Sequence, residues 1–171
     1  MGETARHVGT VVHRLLQRIA QEGLARWDAV RVAAVLPAAR AALRAEGVPQ
    51  AELQPALERV RHALEGVLAD ERGRWLLGPR PHAQSELRLG AELDGEVVHI
   101  ALDRTFVEAD GTRWIVDYKT SSHEGGQLDA FLDREQARYR DQLERYARVM
   151  CGLDPRPMRV ALYFPLLQAW R

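Results

Sequence analysis

An alternation of apolar and polar residues between positions 85 and 119, interrupted by two turn signals, is the strongest constraint on the fold of this chain. Apolar residues stand at every second position from Leu87 to Ala91, as expected of a strand with one buried face. Asp94-Gly95 is typical of a two-residue hairpin turn, and Ala109-Asp110-Gly111 of a three-residue hairpin loop. The pattern predicts an antiparallel meander of three strands. The first begins at Ser85, the second runs from Val97 to Phe106, and the third runs from Arg113 to Lys119.

The two turns determine which residues of the predicted strands lie opposite one another. Counting back from the turn at 94–95 sets Glu86 opposite Asp103, and counting back from the loop at 109–111 sets Asp103 opposite Asp117. Opposed residues share a face of the sheet, and neighbouring strands are about 4.8 Å apart. A row of three carboxylates is repulsive unless a cation neutralises it. The register therefore predicts a cation site.

Lys119 lies two residues after Asp117, so the two side chains point to the same face of a strand, whereas Tyr118 points to the other. Of the 24 lysines and arginines in the chain, only this residue is a lysine. Lysine carries a compact charge that can approach a water or phosphate oxygen closely. An acid and an ammonium on one face of an apolar strand indicate a catalytic site. The simpler alternative is that Lys119 is a lysine without a function that a compositional bias toward arginine has not replaced.

Residues 4–21 have the apolar periodicity of an amphipathic helix. His13 falls on the border of its buried face, where it is either a surface histidine or a ligand. Gly9 stands one turn earlier and costs about 1 kcal/mol of helix propensity relative to alanine. We therefore expect another group to approach the helix closely at Gly9.

Two further helices are predicted over 28–46 and 50–70, broken by Pro37 and by Gly47-Val48-Pro49. The second of them has a clear stripe of leucines and valines. We interpret residues 23–80 as a helical cap or insertion that shapes access to the rest of the domain.

The C-terminal third of the chain predicts a loop, a helix and a strand. A polar segment over 120–126 is typical of a mobile loop. A helix is predicted from about Glu135 to Met150, and on it Gln142 and Tyr146 share a face because they are four residues apart. Residues 158–164 predict a further strand. The order of elements indicates a mixed α/β fold in which a sheet is flanked by helices.

At 171 residues the chain has the length of one domain. We expect a single domain over 1–171, in which the sheet and helix of the site occupy 85–165. The chain ends soon after Tyr163-Phe164-Pro165, which suggests one domain of a larger protein.

Composition excludes several classes of protein. The formal net charge is zero, so any surface for a nucleic acid must be a local patch. The single cysteine, Cys151, excludes an internal disulfide and a four-cysteine metal or iron–sulfur site. No apolar run approaches the roughly 18 residues of a membrane span and no signal peptide is recognisable, so we expect a cytoplasmic protein without membrane contact.

The side chains that could bind one ion are His13, Asp103 and Asp117. Two carboxylates with strand-end carbonyls favour Mg²⁺, and an imidazole makes Mn²⁺ a natural substitute, while catalytic zinc is less expected. The motifs His-Glu-x-x-His, Gly-x-Ser-x-Gly and a phosphate loop ending in Gly-Lys-Ser/Thr do not occur. Metal-assisted hydrolysis of a phosphodiester fits these residues best, with Lys119 positioning the attacking water and balancing charge on the phosphate.

Five short motifs follow one another between residues 9 and 146. They are Gly9-x-x-x-His13, Glu86, Leu102-Asp103-Arg104, Asp117-Tyr118-Lys119 and Gln142-x-x-x-Tyr146. Each is common alone, but together and in this order they closely resemble the RecB-type nuclease domain of the PD-(D/E)xK superfamily. The resemblance is greatest to the C-terminal nuclease domain of bacterial RecB/AddA helicase–nucleases.

The resemblance implies a restriction-endonuclease-like fold and a Mg²⁺-dependent DNA nuclease, with Mn²⁺ as a substitute and without the iron–sulfur cluster of some members. Metal-ligand roles are implied for His13, Asp103, Asp117 and the backbone carbonyl of Tyr118. Catalysis is assigned to Lys119 with Asp103 and Asp117, and supporting or DNA-contacting roles to Glu86, Gln142 and Tyr146. The implied partners are DNA, chiefly single-stranded, and the motor domains or subunits of a helicase–nuclease that acts in double-strand-break repair and recombination.

Two alternatives remain open from the sequence. One is a non-catalytic module with a nuclease fold that docks a helicase or guides a strand, which a net charge of zero would suit. The other is a stand-alone nuclease for RNA or for particular DNA structures. The core motifs do not separate these, because substrate choice resides in the helical insertion and in flanking domains.

Overall fold

The computed structural model describes residues 2–123 and 125–171, which form a mixed α/β fold of five α-helices, one short 3₁₀ helix and five strands. The α-helices are α1 (Glu3–Glu22), α2 (Ala29–Ala45), α3 (Leu53–Ala69), α4 (Glu71–Leu77) and α5 (Leu128–Cys151), and the 3₁₀ helix is Leu24–Arg26. The strands are β1 (Gln84–Leu93), β2 (Glu96–Val107), β3 (Arg113–Tyr118), β4 (Met158–Phe164) and β5 (Ala169–Trp170). Within the described residues, no helix is both long and apolar enough to cross a membrane.

The chain divides into two compact units. The helical unit comprises Met1–Gly78, Tyr118–Ser122 and Phe164–Ala169, and the sheet unit comprises Pro79–Asp117, His123–Tyr163 and Trp170–Arg171. In the helical unit α1, α2 and α3 pack on one another through their apolar faces. The fully buried side chains of this core include Val8, Val12, Leu16, Ile19, Leu43, Val60 and Leu64. The helices predicted over 4–21, 28–46 and 50–70 are therefore confirmed.

The strands form one sheet in the order β1-β2-β3-β4-β5, and its first three strands are the predicted meander. Leu93 pairs with Glu96 across a two-residue turn in which Asp94 and Gly95 both have positive φ, as a tight hairpin turn requires. Glu108 N donates a hydrogen bond to Thr112 O across the three-residue loop. Both predicted turns are confirmed.

The register of the meander is also as predicted. Along β1 and β2, Leu87 pairs with Leu102 and Ser85 with Arg104, so the intervening Glu86 and Asp103 fall between two pairs of the predicted register. Along β2 and β3, the last pair joins Arg104 to Val116. Asp103 and Asp117 each lie one residue beyond this last pair.

Strands β3 and β4 are neighbours that run in the same direction. Arg113 N, at the first residue of β3, donates a hydrogen bond of 2.8 Å to the carbonyl oxygen of Pro157, immediately before β4. Parallel neighbours need a crossover connection, and α5 supplies it. The apolar core of the sheet unit joins sheet and helix and comprises Ile100, Leu102, Ile115, Val149 and Met150.

Several element boundaries differ from those predicted. Pro37 lies inside α2 instead of breaking it, because the buried side chains of Val32, Val35 and Ala39 hold the helix on its neighbours despite the missing N–H. Helix α5 begins at Leu128, seven residues before Glu135. Its added turns bury Leu132 and carry two aspartates that pair with Arg171. Helix α4 and strand β5 were not predicted from the sequence.

Candidate functional site

Two carboxylates of the sheet unit lie beside one another on the meander. Carboxylate oxygens of Glu86 and Asp103 are within 4.8 Å of each other, and both side chains are half-buried. Glu86 has a φ of 54°, in the left-handed region that residues other than glycine adopt at a cost of about 1–3 kcal/mol. Strain of this kind within a strand is characteristic of functional sites, and here it accompanies the approach of two acids.

Asp117 is buried near the end of β3, with 4% of its surface exposed. Gln142 Nε2, on α5, donates a hydrogen bond of 3.0 Å to Asp117 Oδ1 and a second, of 2.5 Å, to the hydroxyl oxygen of Tyr146. One side-chain amide therefore connects the buried carboxylate to the phenol one helical turn away. The predicted common face of Gln142 and Tyr146 is confirmed.

The negative charges of Asp117 and Asp103 both affect the pKa of Tyr146. Burial, followed by the negative charge of Asp117, raises the pKa of Tyr146 to about 12, and the charge of Asp103 acts in the same direction. The hydrogen bond from Gln142 opposes the rise in pKa without cancelling it. The phenol is therefore neutral at any pH near neutrality.

In the helical unit, His13 on α1 contacts the end of β3. Its Nε2 lies 3.1 Å from the carbonyl oxygen of Tyr118, and the direction of any hydrogen bond between them depends on the tautomer of the ring. The two aromatic rings also meet edge to face, with centroids 5.7 Å apart. The side chain of Tyr118 is buried, so this contact orients the main chain of β3 at its last residue.

Thr120, two residues further on, is held by two helices of the same unit. A Cβ atom added at Gly9 on α1 would lie 3.1 Å from Thr120 Oγ1, so the expected close approach at Gly9 is confirmed. Arg59 Nη2, on α3, donates a hydrogen bond of 3.0 Å to the carbonyl oxygen of Thr120. Lys119, between the two carbonyls, is half-buried.

A comparison with models of protein families gives one match that covers most of the chain. The model of the PD-(D/E)XK nuclease superfamily matches residues 2–167. The chain belongs to the PD-(D/E)XK nuclease superfamily. Membership indicates nuclease activity, and the mixed α/β fold with a five-stranded sheet is consistent with the restriction-endonuclease-like fold of these enzymes. A comparison with curated proteins finds no match.

PD-(D/E)XK nucleases use divalent metal ions, and the donor atoms of this chain fit such an ion. In the sheet unit the available groups are the carboxylates of Glu86, Asp103 and Asp117. In the helical unit, the 3.1 Å between His13 Nε2 and the Tyr118 carbonyl oxygen matches the roughly 3 Å between adjacent ligands of an octahedral ion with bonds of about 2.1 Å. Hard oxygen donors with one imidazole suit Mg²⁺ or Mn²⁺.

Two features of the site exceed what the sequence indicated. The sequence predicts only a supporting role for Glu86, yet it lies beside Asp103 in a strained backbone conformation. Arg59 lies in the helical region over 23–80, where the sequence carries no recognised motif. Its signal in the sequence was an arginine whose neighbours three residues before and four residues after, Ala56 and Ala63, belong to the buried face of α3.

Proposed function

We propose that this member of the PD-(D/E)XK superfamily is a divalent-metal-dependent DNA nuclease that hydrolyses phosphodiester bonds. The observation that carries the proposal is the end of β3, where the buried carboxylate of Asp117 is held by Gln142 and stands two residues before the only lysine of the chain. Burying a carboxylate costs free energy unless the group is paired or binds a metal ion. A metal ion in a nuclease site would compensate this cost.

The proposed ligands are those implied by the RecB-type motifs: His13, Asp103, Asp117 and the backbone carbonyl of Tyr118. We add Glu86, because its carboxylate lies within 4.8 Å of that of Asp103. The proposed ion is Mg²⁺, with Mn²⁺ as a substitute. When bound, it would polarise a phosphoryl oxygen and lower the pKa of an attacking water.

The side chains of the chain itself divide the remaining work. Asp103 and Asp117 hold negative charge in fixed positions, and the amide of Gln142 keeps Asp117 from rotating. Lys119 orients the attacking water and balances the charge that develops on the phosphate. Gln142 and Tyr146 support this site or contact DNA, and the neutral phenol of Tyr146 can donate a hydrogen bond to a phosphate.

We further propose that residues 1–171 are one nuclease domain of a RecB/AddA-type helicase–nuclease that acts in double-strand-break repair and recombination. The order of the five motifs supports this assignment. In such a complex, motor domains or partner subunits would deliver DNA, chiefly single-stranded, to the site. A chain with a net charge of zero would gain from that delivery, because most of the affinity of a protein for DNA comes from phosphate contacts.

The test is cleavage of labelled single-stranded DNA, double-stranded DNA and RNA by the purified chain in Mg²⁺, Mn²⁺ or EDTA. Asp117→Asn and Lys119→Met change the site, and Asp94→Asn, at an exposed hairpin tip, is the matched control. Metal-dependent cleavage of DNA by the wild type and the control alone is the expected result. Cleavage of RNA only would support a nuclease of another substrate class, and neither cleavage nor metal binding would support a non-catalytic docking module.

A further inference from the structure

The main chain on both sides of Lys119 is held by side chains of the helical unit. His13 contacts the carbonyl oxygen of Tyr118 at 3.1 Å, and Arg59 donates to the carbonyl oxygen of Thr120 at 3.0 Å. Lys119 therefore stands between two anchored peptide groups. The first anchor belongs to a recognised motif, and the second comes from a helix of the region over 23–80.

Arg59 lowers the stability of the fold at its position. Its Nε is fully buried and has no hydrogen-bond partner among the described residues. A buried donor without a partner costs about 1–3 kcal/mol. Arg59 is half-buried, and its neighbours on the same side of α3, Ala56 and Ala63, are buried and apolar, so they offer no polar partner to this nitrogen. Stability alone does not explain an arginine here.

We propose that Arg59 is a positioning residue of the nuclease site, which fixes the backbone of Lys119 by holding the carbonyl of Thr120. This inference rests on the proposed function. A planar guanidinium suits the role because its fork fixes the direction of each donated hydrogen bond, and the arginine keeps its charge at every working pH. A shift of the reacting groups by about 1 Å can lower the rate roughly 100-fold. The orientation of Lys119 therefore explains an arginine that lowers the stability of the fold.

The test compares Arg59→Met and Arg59→Lys with the matched control Arg61→Met. Arg61 lies on the same helix and pairs with Glu58 and Glu65 at the surface, so its loss should matter little. Two readouts are needed: steady-state cleavage of single-stranded DNA in Mn²⁺, and hydrogen–deuterium exchange of peptides that span residues 118–122. The melting temperature of each variant identifies any loss of folding.

We expect R59M to lower kcat by roughly 10–100-fold with little change in KM. We also expect faster exchange over 118–122, a melting temperature close to that of the wild type, and partial recovery of kcat in R59K. R61M should match the wild type. Unchanged kcat in R59M, or losses of kcat and melting temperature that R59K does not relieve, would overturn the role of Arg59. A wild-type chain that neither cleaves DNA nor binds Mn²⁺ would instead overturn the proposed function, and the exchange data would then decide whether Arg59 orders the segment.

Discussion

Gln142 Nε2 donates a hydrogen bond of 3.0 Å to Asp117 Oδ1 and thereby joins α5 to the buried carboxylate at the end of β3. The helix is also the crossover between β3 and β4, so the element that the topology requires at this point carries the group that orients the acid. One side-chain amide thus connects the motif on α5 to the carboxylate of the motif at the end of β3.

Replacing Gln142 by methionine should weaken the site while keeping the fold. Methionine has similar length but no donor, so Asp117 loses an orienting hydrogen bond. Residues that orient metal ligands typically contribute roughly 10–100-fold to metal affinity or activity, and we expect Q142M to lose Mn²⁺ affinity within that range. Isothermal titration with Mn²⁺ measures it. Q136M, at an exposed position of the same helix, is the control, and equal affinity in the two variants would contradict this role.

Tyr146 predicts a loss of stability in alkali. Its pKa is about 12 in the folded chain and near 10 when unfolded, so the unfolded state releases the proton first as the pH rises. The contribution of the neutral phenol to the free energy of unfolding is fully present below pH 10 and is lost as the pH rises to about 12. Because the residue is only half-buried, we expect an effect on the order of 1 kcal/mol or less.

Urea unfolding at pH 9 and pH 11 tests this expectation. The wild type should lose more stability between the two conditions than Tyr146→Phe. An identical loss in both proteins would mean that the phenol has no raised pKa. Cleavage of DNA near neutral pH should have no inflection that depends on Tyr146.

A buried ion pair fixes the start of β3. Arg113 Nε donates to Asp154 Oδ2 at 2.5 Å, and Arg113 Nη1 donates to Thr105 Oγ1. Desolvation raises the pKa of Asp154, but hydrogen bonds from the backbone N–H of Arg156 and from two guanidinium groups outweigh it and lower the pKa to about 2. Stability from this pair is present above pH 3.8, the ordinary value, and is lost as the pH falls toward 2.

We expect Asp154→Asn to destabilise the chain by about 3–5 kcal/mol at pH 7, because it leaves Arg113 charged and buried. The variant should also lose less stability than the wild type between pH 5 and pH 2. Chemical unfolding at the two pH values measures both effects. Arg148→Gln, which removes an exposed pair with Asp94, should change stability by less than about 1 kcal/mol and serves as the control. Similar losses in both variants would refute the assignment.

The close approach of Gly9 to Thr120 should appear as coupling between substitutions. Alanine at Gly9 gains about 1 kcal/mol of helix propensity, but its Cβ would stand 3.1 Å from Thr120 Oγ1. We expect Gly9→Ala to be destabilising beside threonine and stabilising in a Thr120→Ala background. A double-mutant cycle on free energies of unfolding should give a coupling of about 0.5–3 kcal/mol. Additive effects would mean that a Cβ atom at residue 9 does not clash with the side chain of Thr120.

The meander was predictable from the sequence because its turns are short and local. Asp94-Gly95 and the loop at 109–111 determine the register by counting, so the pairs on either side of Glu86, Ser85 with Arg104 and Leu87 with Leu102, could be predicted. Local rules failed where distant groups decide the outcome. Pro37 stays helical because of tertiary packing, and the first turns of α5 bury Leu132 and pair with Arg171, more than thirty residues later in the chain.

The candidate site divides in the same way. The common face of Gln142 and Tyr146 could be predicted because their spacing of four residues is enough to indicate it. The contact of Arg59 with Thr120 joins positions 61 residues apart, and no spacing rule connects them. The strain at Glu86 is likewise a property of the backbone that an isolated glutamate in a strand does not reveal.

The most direct test of the central claim measures Mn²⁺ binding and single-turnover DNA cleavage on the same samples of wild type, Asp117→Asn and Lys119→Met. If Asp117 binds the ion and Lys119 acts on the reacting groups, D117N should lose both binding and cleavage. K119M should keep Mn²⁺ binding and lose cleavage by about 10²–10³-fold. Wild-type cleavage rates in K119M, or unchanged Mn²⁺ affinity in D117N, would contradict the assignment of the site.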